Sequence, residues 1–149
     1  MFHVYKTRHF FSTREKKQIM AAIEGAEKLT SGEIRVHVES VAGPDPLARA
    51  QRVFENLGMT KTKQRNGVLI YLAVKDRKFA IIGDQGIDQA VPANFWEDTK
   101  EKMQALFKAG KFSAGVCLGI ELAGEHLAKF FPHRLGDVNE LANEISEGE

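Results

Sequence analysis

The sequence predicts an α/β fold, a three-layer α/β/α sandwich with a mixed central sheet. Residues 33–40 and 68–74 have strand patterns and are separated by a segment with helical periodicity, which is typical of a parallel pair with a crossover helix. Residues 79–82 form a third strand pattern after a short polar turn, which predicts an antiparallel hairpin with the second strand. Helical patterns lie before and after these strands, so both faces of the sheet can be covered.

The composition suits one globular domain, with 43% hydrophobic and 28% charged residues in 149. The 21 Lys and Arg nearly balance the 20 Asp and Glu, so net charge gives no reason to expect a nucleic-acid partner. The most apolar stretch, residues 113–131, carries Glu121, Glu125 and Lys129 and is too polar for an integral membrane segment. Since the first residues also lack a secretory pattern, we expect a soluble, cytoplasmic protein.

Each element of the first half has a local signal. Ser12 and Glu15 form a capping-box pattern, which starts a helix that runs to Leu29. Residues 33–40 alternate strictly and predict a strand with one buried face, made of Ile34, Val36 and Val38, and a polar face made of Arg35, His37 and Glu39. Asp45 followed by Pro46 starts a second helix that lasts until Gly58.

The second half contains the central strand. Residues 68–74 are continuously apolar, which indicates a strand buried on both faces. Two further helices are expected over residues 93–109 and 113–131. We divide the chain into an N-terminal segment (1–11), an α/β domain (12–131) and an acidic C-terminal tail (132–149), interpreted as mobile or loosely docked. Leu135, Val138, Leu141 and Ile145 give the tail a weak helical pattern.

Three motifs are expected to meet at one edge of the sheet. The parallel strands begin at the same edge, and the antiparallel third strand returns to it, so Glu33, Asn66 and Asp84 converge there. Asp88 follows within the predicted loop 84–88, where Gly86 allows a tight turn that offers carbonyl groups. These hard oxygen donors suit Ca²⁺, or Mg²⁺ where waters complete an octahedron. The predicted metal ligands are therefore Glu33, Asn66, Asp84 and Asp88.

Each of these residues also has an ordinary structural interpretation. Asn66 with Gly67 is a common turn pair, and Asp84 is suited to capping the backbone that follows it. Glu33 has a potential ion-pair partner in Arg65, and Asp88 is expected to be solvated if it is not a ligand. The histidines are scattered over different predicted elements, which argues against a zinc site.

The order and spacing of several short motifs resemble the TPM domain. The motifs are Ser31-Gly32-Glu33-Ile34, Asn66-Gly67-Val68-Leu69-Ile70, Asp76-Arg77-Lys78-Phe79, Gly83-Asp84-Gln85-Gly86-Ile87 and Val91-Pro92. The resemblance covers roughly residues 12–131 and implies a sheet between layers of helices. It also implies two activities seen in parts of the family, acid-phosphatase activity in the thylakoid branch and divalent-cation binding in some members.

The function that these observations favour is a cation-binding accessory or interaction domain, with a divalent cation and a protein as partners. The alternative is a metal-assisted acid phosphatase, in which the edge carboxylates hold a cation that polarises a phosphoester. Lys61, Lys63 or Arg65 would then stabilise the developing charge. No Ser, Cys or Thr triad signature, Gly-rich nucleotide motif or dedicated general base is recognisable, so we expect little turnover.

Overall fold

The computed structural model describes residues 10–133, 141 and 145–148. This part of the chain forms five helices and four strands. In chain order they are α1 (Thr13–Glu27), β1 (Glu33–Glu39), α2 (Pro46–Asn56), β2 (Gly67–Ala73), β3 (Lys78–Gly83), α3 (Gln85–Ala90), α4 (Glu97–Lys108), α5 (Phe112–Leu127) and β4 (Ser146–Glu147).

The four strands form one mixed sheet in the order β3-β2-β1-β4. β1 and β2 are parallel, with Glu33 opposite Gly67. β2 and β3 are antiparallel, with Val68 opposite Gly83. The parallel pair and the hairpin were both predicted from the sequence, and both are confirmed.

Helices cover both faces of the sheet, which confirms the α/β/α sandwich. One face packs against α1 and α5, where Ile23 and Ile120 are fully buried. The other face packs against α2 through Leu69, Tyr71 and Phe54. Since burying one large aliphatic side chain is worth about 1.5–3 kcal/mol, these two clusters are the main source of the domain's stability.

The two helix caps predicted in the first half of the chain are present. The Ser12 hydroxyl accepts a hydrogen bond from the Glu15 amide at 3.1 Å, and the Glu15 carboxylate accepts one from the Ser12 amide at 2.9 Å. At α2, the Asp45 carboxylate accepts a hydrogen bond from the Ala48 amide at 3.1 Å. Each cap satisfies backbone donors that have no partner within the helix.

Two local expectations are wrong. The strand β1 was predicted to have one buried face, but His37 and Glu39 on its polar face are also buried. The predicted loop 84–88 is the start of α3, so Gly86 lies in a helix rather than in a carbonyl-presenting turn. In the tail, Ser146 and Glu147 pair with β1 as a short parallel strand that lies just after the weak helical pattern. Leu135 and Val138 lie outside the described residues, and the helical pattern stays a prediction.

The two C-terminal helices are shorter than expected. The predicted helix 93–109 begins only at Glu97, and the predicted helix 113–131 ends at Leu127. Within the described ranges, none of the helices combines the length and apolar character needed to cross a bilayer.

Candidate functional site

The three predicted motifs meet at the edge where β1 and β2 begin and β3 ends. The Asp84 amide donates a hydrogen bond to the Gly67 carbonyl at 2.9 Å. The Glu33 amide donates to the Asn66 carbonyl at 3.3 Å. The convergence inferred from strand topology is therefore present in the backbone.

Asp84 contacts both α3 and the segment that precedes β2. It caps α3, where its Oδ1 accepts a hydrogen bond from the Gln85 amide at 2.8 Å. Arg65 binds the same carboxylate in a bidentate manner, with Nε at 2.7 Å from Oδ2 and Nη2 at 2.9 Å from Oδ1. The Arg65 ion pair considered for Glu33 is thus made with Asp84, and the capping interpretation of Asp84 is confirmed.

Gly86 fixes the position of Arg65. Its amide donates to the Arg65 carbonyl at 2.9 Å. A Cβ atom at position 86 would lie 2.2 Å from the Gln64 carbonyl oxygen and 2.6 Å from that of Arg65. Only glycine allows this approach, so the segment 61–65, here called the basic loop, packs directly against the first turn of α3.

A cavity of about 210 Å³ opens beside this ion pair, and we call it the edge cavity. Asp84 and Arg65 line it together with Asp88 from α3 and Glu55 from α2. The amide side chains of Gln51 and Gln85 also line it. The wall therefore combines three carboxylates and two amide groups with one cation.

Glu33 and Asn66 lie in the adjoining part of the edge. Neither lines the edge cavity, and both are buried. The Glu33 Oε1 atom accepts a hydrogen bond from the Leu141 amide at 3.0 Å, and the Asn66 side chain donates to the Ser31 hydroxyl at 3.4 Å.

Gly67 separates Glu33 from Asp84 in the sheet, and atoms of Phe54 and Met59 lie within 4 Å of where its Cβ would be. The strands β1 and β3 are two strand spacings apart, about 10 Å. The described side-chain contacts of Glu33 and Asp84 are with different groups, the Leu141 amide and the Arg65 guanidinium. The structure thus brings Asp84 and Asp88 to one cavity, with Glu33 and Asn66 beside it.

The oxygen donors of the edge cavity would suit a hard cation only if Arg65 released the Asp84 carboxylate. In the described part of the chain, no group of three or more His, Cys, Asp and Glu side chains is arranged to hold a metal ion. The Arg65 guanidinium is hydrogen-bonded to the Asp84 carboxylate, so its positive charge takes the place that a metal ion would need. The Arg65 side chain is 37% exposed, so it can exchange this contact for water. Two carboxylates, amide oxygens and water would then suit Ca²⁺ or a hydrated Mg²⁺.

A second carboxylate cluster was missed by the sequence analysis. Glu39, 3% exposed, accepts hydrogen bonds from Arg49 Nε at 2.7 Å and Arg49 Nη2 at 2.9 Å. It also accepts one from the Tyr71 hydroxyl, and its Oε1 lies 3.0 Å from His37 Nε2. The other His37 nitrogen lies 2.9 Å from the Ser146 hydroxyl. These five residues are called the Glu39 cluster.

The protonation states of the Glu39 cluster are fixed by burial and by hydrogen bonds. Burial alone would raise the pKa of Glu39, but the bonds from Arg49, Tyr71 and His37 outweigh it and lower that pKa to about 2. Burial lowers the pKa of His37 and raises the pKa of Tyr71. At neutral pH the cluster therefore holds one carboxylate, a neutral imidazole and a protonated phenol.

One sequence signal pointed to this cluster. Tyr71 is the hydroxyl-bearing residue of an otherwise aliphatic strand that was predicted to be buried on both faces. A buried tyrosine hydroxyl needs a hydrogen-bond partner, and Glu39 on the neighbouring strand supplies it. Because both Glu39 carboxylate oxygens and both His37 ring nitrogens have partners within the protein, the cluster serves the fold more than a ligand.

The fold and the edge cavity define an α/β domain with an acidic cavity at one edge of its sheet. A family profile described as the TPM domain matches residues 4–125, and the chain belongs to this family. No curated protein matches the chain.

Several solved structures are similar to this chain. The BA42 protein from the psychrophilic bacterium Bizionia argentinensis is 50% identical, with a TM-score of 0.89, over 94% of this chain and 97% of that one. The N-terminal domain of the cg2496 protein from Corynebacterium glutamicum is 16% identical, with a TM-score of 0.62, over 94% and 81%. The N-terminal domain of a P. gingivalis protein is also 16% identical, with a TM-score of 0.69, over 85% and 82%. The last two share the fold.

Proposed function

We propose that this TPM domain is a divalent-cation-binding accessory or interaction domain that binds Ca²⁺, and Mg²⁺ more weakly, at the edge cavity. The observation that carries the proposal is the buried Asp84 carboxylate, held by an Arg65 side chain that is itself open to solvent. Asp88 and Glu55 line the same cavity and supply further negative charge. Asp84 and Asp88 are the proposed anionic ligands.

Cation binding at this cavity requires Arg65 to leave Asp84. Asp84 keeps its hydrogen bond from the Gln85 amide during this exchange, so α3 stays capped. The released guanidinium then joins Lys61 and Lys63, both exposed, on the basic loop. The exchange therefore couples cation binding to a more basic surface, which is the basis that we propose for a protein partner.

The arrangement of oxygen donors at the cavity favours Ca²⁺ over Mg²⁺. Ca²⁺ accepts six to eight oxygen ligands in flexible arrangements, whereas Mg²⁺ demands a near-ideal octahedron. The Asp84 carboxylate at the N-cap of α3 and the Asp88 carboxylate within that helix, with amide oxygens from two elements, suit the flexible requirement better.

Thermal denaturation in the presence of Ca²⁺ tests the proposal. A ligand selective for the folded state at a hundredfold excess over Kd adds about 2.7 kcal/mol of stability. For a domain of this size the melting temperature should rise by about 5–10 °C. Asp84→Asn should shrink the rise, because it keeps the shape and the capping oxygen but removes one anionic ligand. A melting curve unmoved by millimolar Ca²⁺ would argue against a cation site.

Arg65→Gln is the matched variant that separates a cation site from a purely structural ion pair. It removes the competing guanidinium, so the Ca²⁺-induced rise should begin at lower Ca²⁺ concentration than in the wild type. A structural pair predicts lower stability and no change in the Ca²⁺ response. If Arg65→Gln weakens Ca²⁺ binding, the exchange mechanism is wrong.

Glu33→Gln tests the remaining predicted ligands. Glu33 and Asn66 adjoin the edge cavity without lining it, and Glu33 binds the Leu141 amide. If they belong to the ligand set, Glu33→Gln should reduce the Ca²⁺-induced rise as strongly as Asp84→Asn does. If the two residues are structural, the rise should be preserved.

Phosphoester hydrolysis is the alternative function. Arg65 and two carboxylates lie at one cavity, an arrangement that suits a phosphoryl group bridged by a cation. Thr60 is a hydroxyl side chain among the lining residues, and no base is hydrogen-bonded to it in the described contacts. We therefore expect little turnover of p-nitrophenyl phosphate with Ca²⁺ or Mg²⁺. Robust hydrolysis that is lost in Asp84→Asn would favour the phosphatase instead.

A further inference from the structure

A second and larger cavity lies at the opposite end of the sheet. Its volume is about 570 Å³, and it opens where β2 ends and β3 begins. We call it the aromatic pocket. Its walls include Phe79, Phe107 and Phe112, and its rim carries Arg77, Lys78 and Lys108.

The aromatic walls are held in place by packing. The rings of Phe79 and Phe107 meet edge to face with centroids 5.0 Å apart, and those of Phe107 and Phe112 are stacked at 6.0 Å. A Cβ atom on Gly115 would lie 2.5 Å from Phe107, so the missing side chain at position 115 makes room for this ring. Three elements thus fix one apolar surface before any ligand arrives.

The charged residues that line the aromatic pocket are all basic. No carboxylate side chain is among the residues that line it. In the described part of the chain, none of Arg77, Lys78 and Lys108 takes part in an ion pair. The edge cavity differs in this respect, since its one cation is neutralised by Asp84. Three uncompensated positive charges beside an apolar surface attract an anion.

We propose that the aromatic pocket binds a small-molecule monoanion with an apolar body, specifically an aryl or alkyl carboxylate. The volume lies within the range of small-molecule sites. The three phenylalanines would contact the apolar body, while the basic rim holds the carboxylate in water. A neutral hydrocarbon would gain nothing from the rim, and an extended polyanion would leave the aromatic walls unused.

A pair of isosteric probes tests the charge requirement. The experiment is a ¹⁵N-edited NMR titration of the full chain with 3-phenylpropanoate and, separately, with 3-phenylpropanamide. The acid should produce saturable chemical-shift changes at the backbone amides of Lys78, Phe79 and Lys108. The uncharged 3-phenylpropanamide should bind at least about fivefold more weakly than the acid. Higher salt should weaken only the acid.

Matched lysine variants locate the charge. Lys78→Gln or Lys108→Gln should weaken 3-phenylpropanoate binding about two- to fivefold, as expected for one exposed charge. Lys102→Gln is the control, because Lys102 lies on α4, as Lys108 does, but pairs with Asp98 at 3.2 Å and does not line the pocket. Equal affinity for the two probes would overturn the proposal. So would the absence of saturable shifts up to about 10 mM, or an equal loss in Lys102→Gln.

Discussion

Two carboxylates in this domain are held by arginine in nearly the same way, yet their surroundings differ. Both Glu39 and Asp84 receive Nε at 2.7 Å and Nη2 at 2.9 Å. Around Glu39 further hydrogen bonds come from Tyr71 and His37, and the Glu39 side chain is 3% exposed. Asp84 instead faces the edge cavity, with Asp88 beside it.

The difference shows what makes a carboxylate available to a ligand. An arginine pair does not by itself mark a site, because Glu39 has one and is closed. The two arginine side chains are about equally exposed, 35% for Arg49 and 37% for Arg65, so the exposure of the partner does not separate the two pairs. What distinguishes Asp84 is that Arg65 is its one described charged partner and that the pair lines an acidic cavity. Glu39 has Tyr71 and His37 as further partners, and a buried charge with several partners is costly to disturb.

The largest expected loss of stability follows from removal of the Glu39 carboxylate. Glu39→Gln leaves Arg49 and Tyr71 without their anionic acceptor in a buried environment, and we expect a loss of about 3 kcal/mol in the free energy of unfolding. Urea denaturation measures it. Asp84→Asn, measured without Ca²⁺, is the paired variant and should cost clearly less. Equal losses would remove the distinction between the two carboxylates.

A smaller loss of stability is expected from a change at Gly86, the glycine that positions the Arg65–Asp84 ion pair. Gly86→Ala forces the Gln64 and Arg65 carbonyls away from α3 and should cost about 2 kcal/mol, as overpacking does. Gly25→Ala is the control, since nothing lies within 4 Å of its Cβ position in α1. That change should stabilise the protein by about 0.5–1 kcal/mol. A harmless Gly86→Ala would mean that the basic loop is not held as described.

The smallest expected change in stability is the one caused by mild acidification of the wild-type protein. Folding lowers the pKa of Glu39 from 4.5 to about 2, so its contribution to stability is complete above pH 4.5 and is lost as the pH falls toward 2. Between pH 5 and pH 4 the wild type should therefore lose only a small part of its stability. Urea denaturation at a series of pH values should show a flatter profile below pH 4.5 in Glu39→Gln. Parallel profiles for the two proteins would contradict this assignment.

Local sequence signals predicted most of the fold. The Ser12 and Asp45 caps act between neighbouring residues, and the apolar run of β2 needs no partner to be recognised. α3 was missed because six residues are too few to show a helical period, although its Asp84 cap was considered.

The candidate site was harder to predict because its contacts are distant along the chain. Alternation in β1 indicated which residues share a face but not what covers that face. Glu39 meets Arg49 ten residues later and Tyr71 thirty-two residues later. Topology correctly placed Asp84 and Glu33 at one edge. Phe54 and Met59, which pack on Gly67 between the two, come from outside the sheet, which no strand pattern reports.

The pairing of β4 with β1 has a consequence for synthesis. Ser146 follows its neighbour His37 by 109 residues. At about 5–20 residues per second, a ribosome needs roughly 5–20 s to make the intervening chain. During that interval β2 can already be paired with β1, and β3 with β2, while the outer edge of β1 still lacks its strand. A nascent domain of this kind therefore exposes one unprotected β-edge for seconds, the period in which a chaperone would have most to shield.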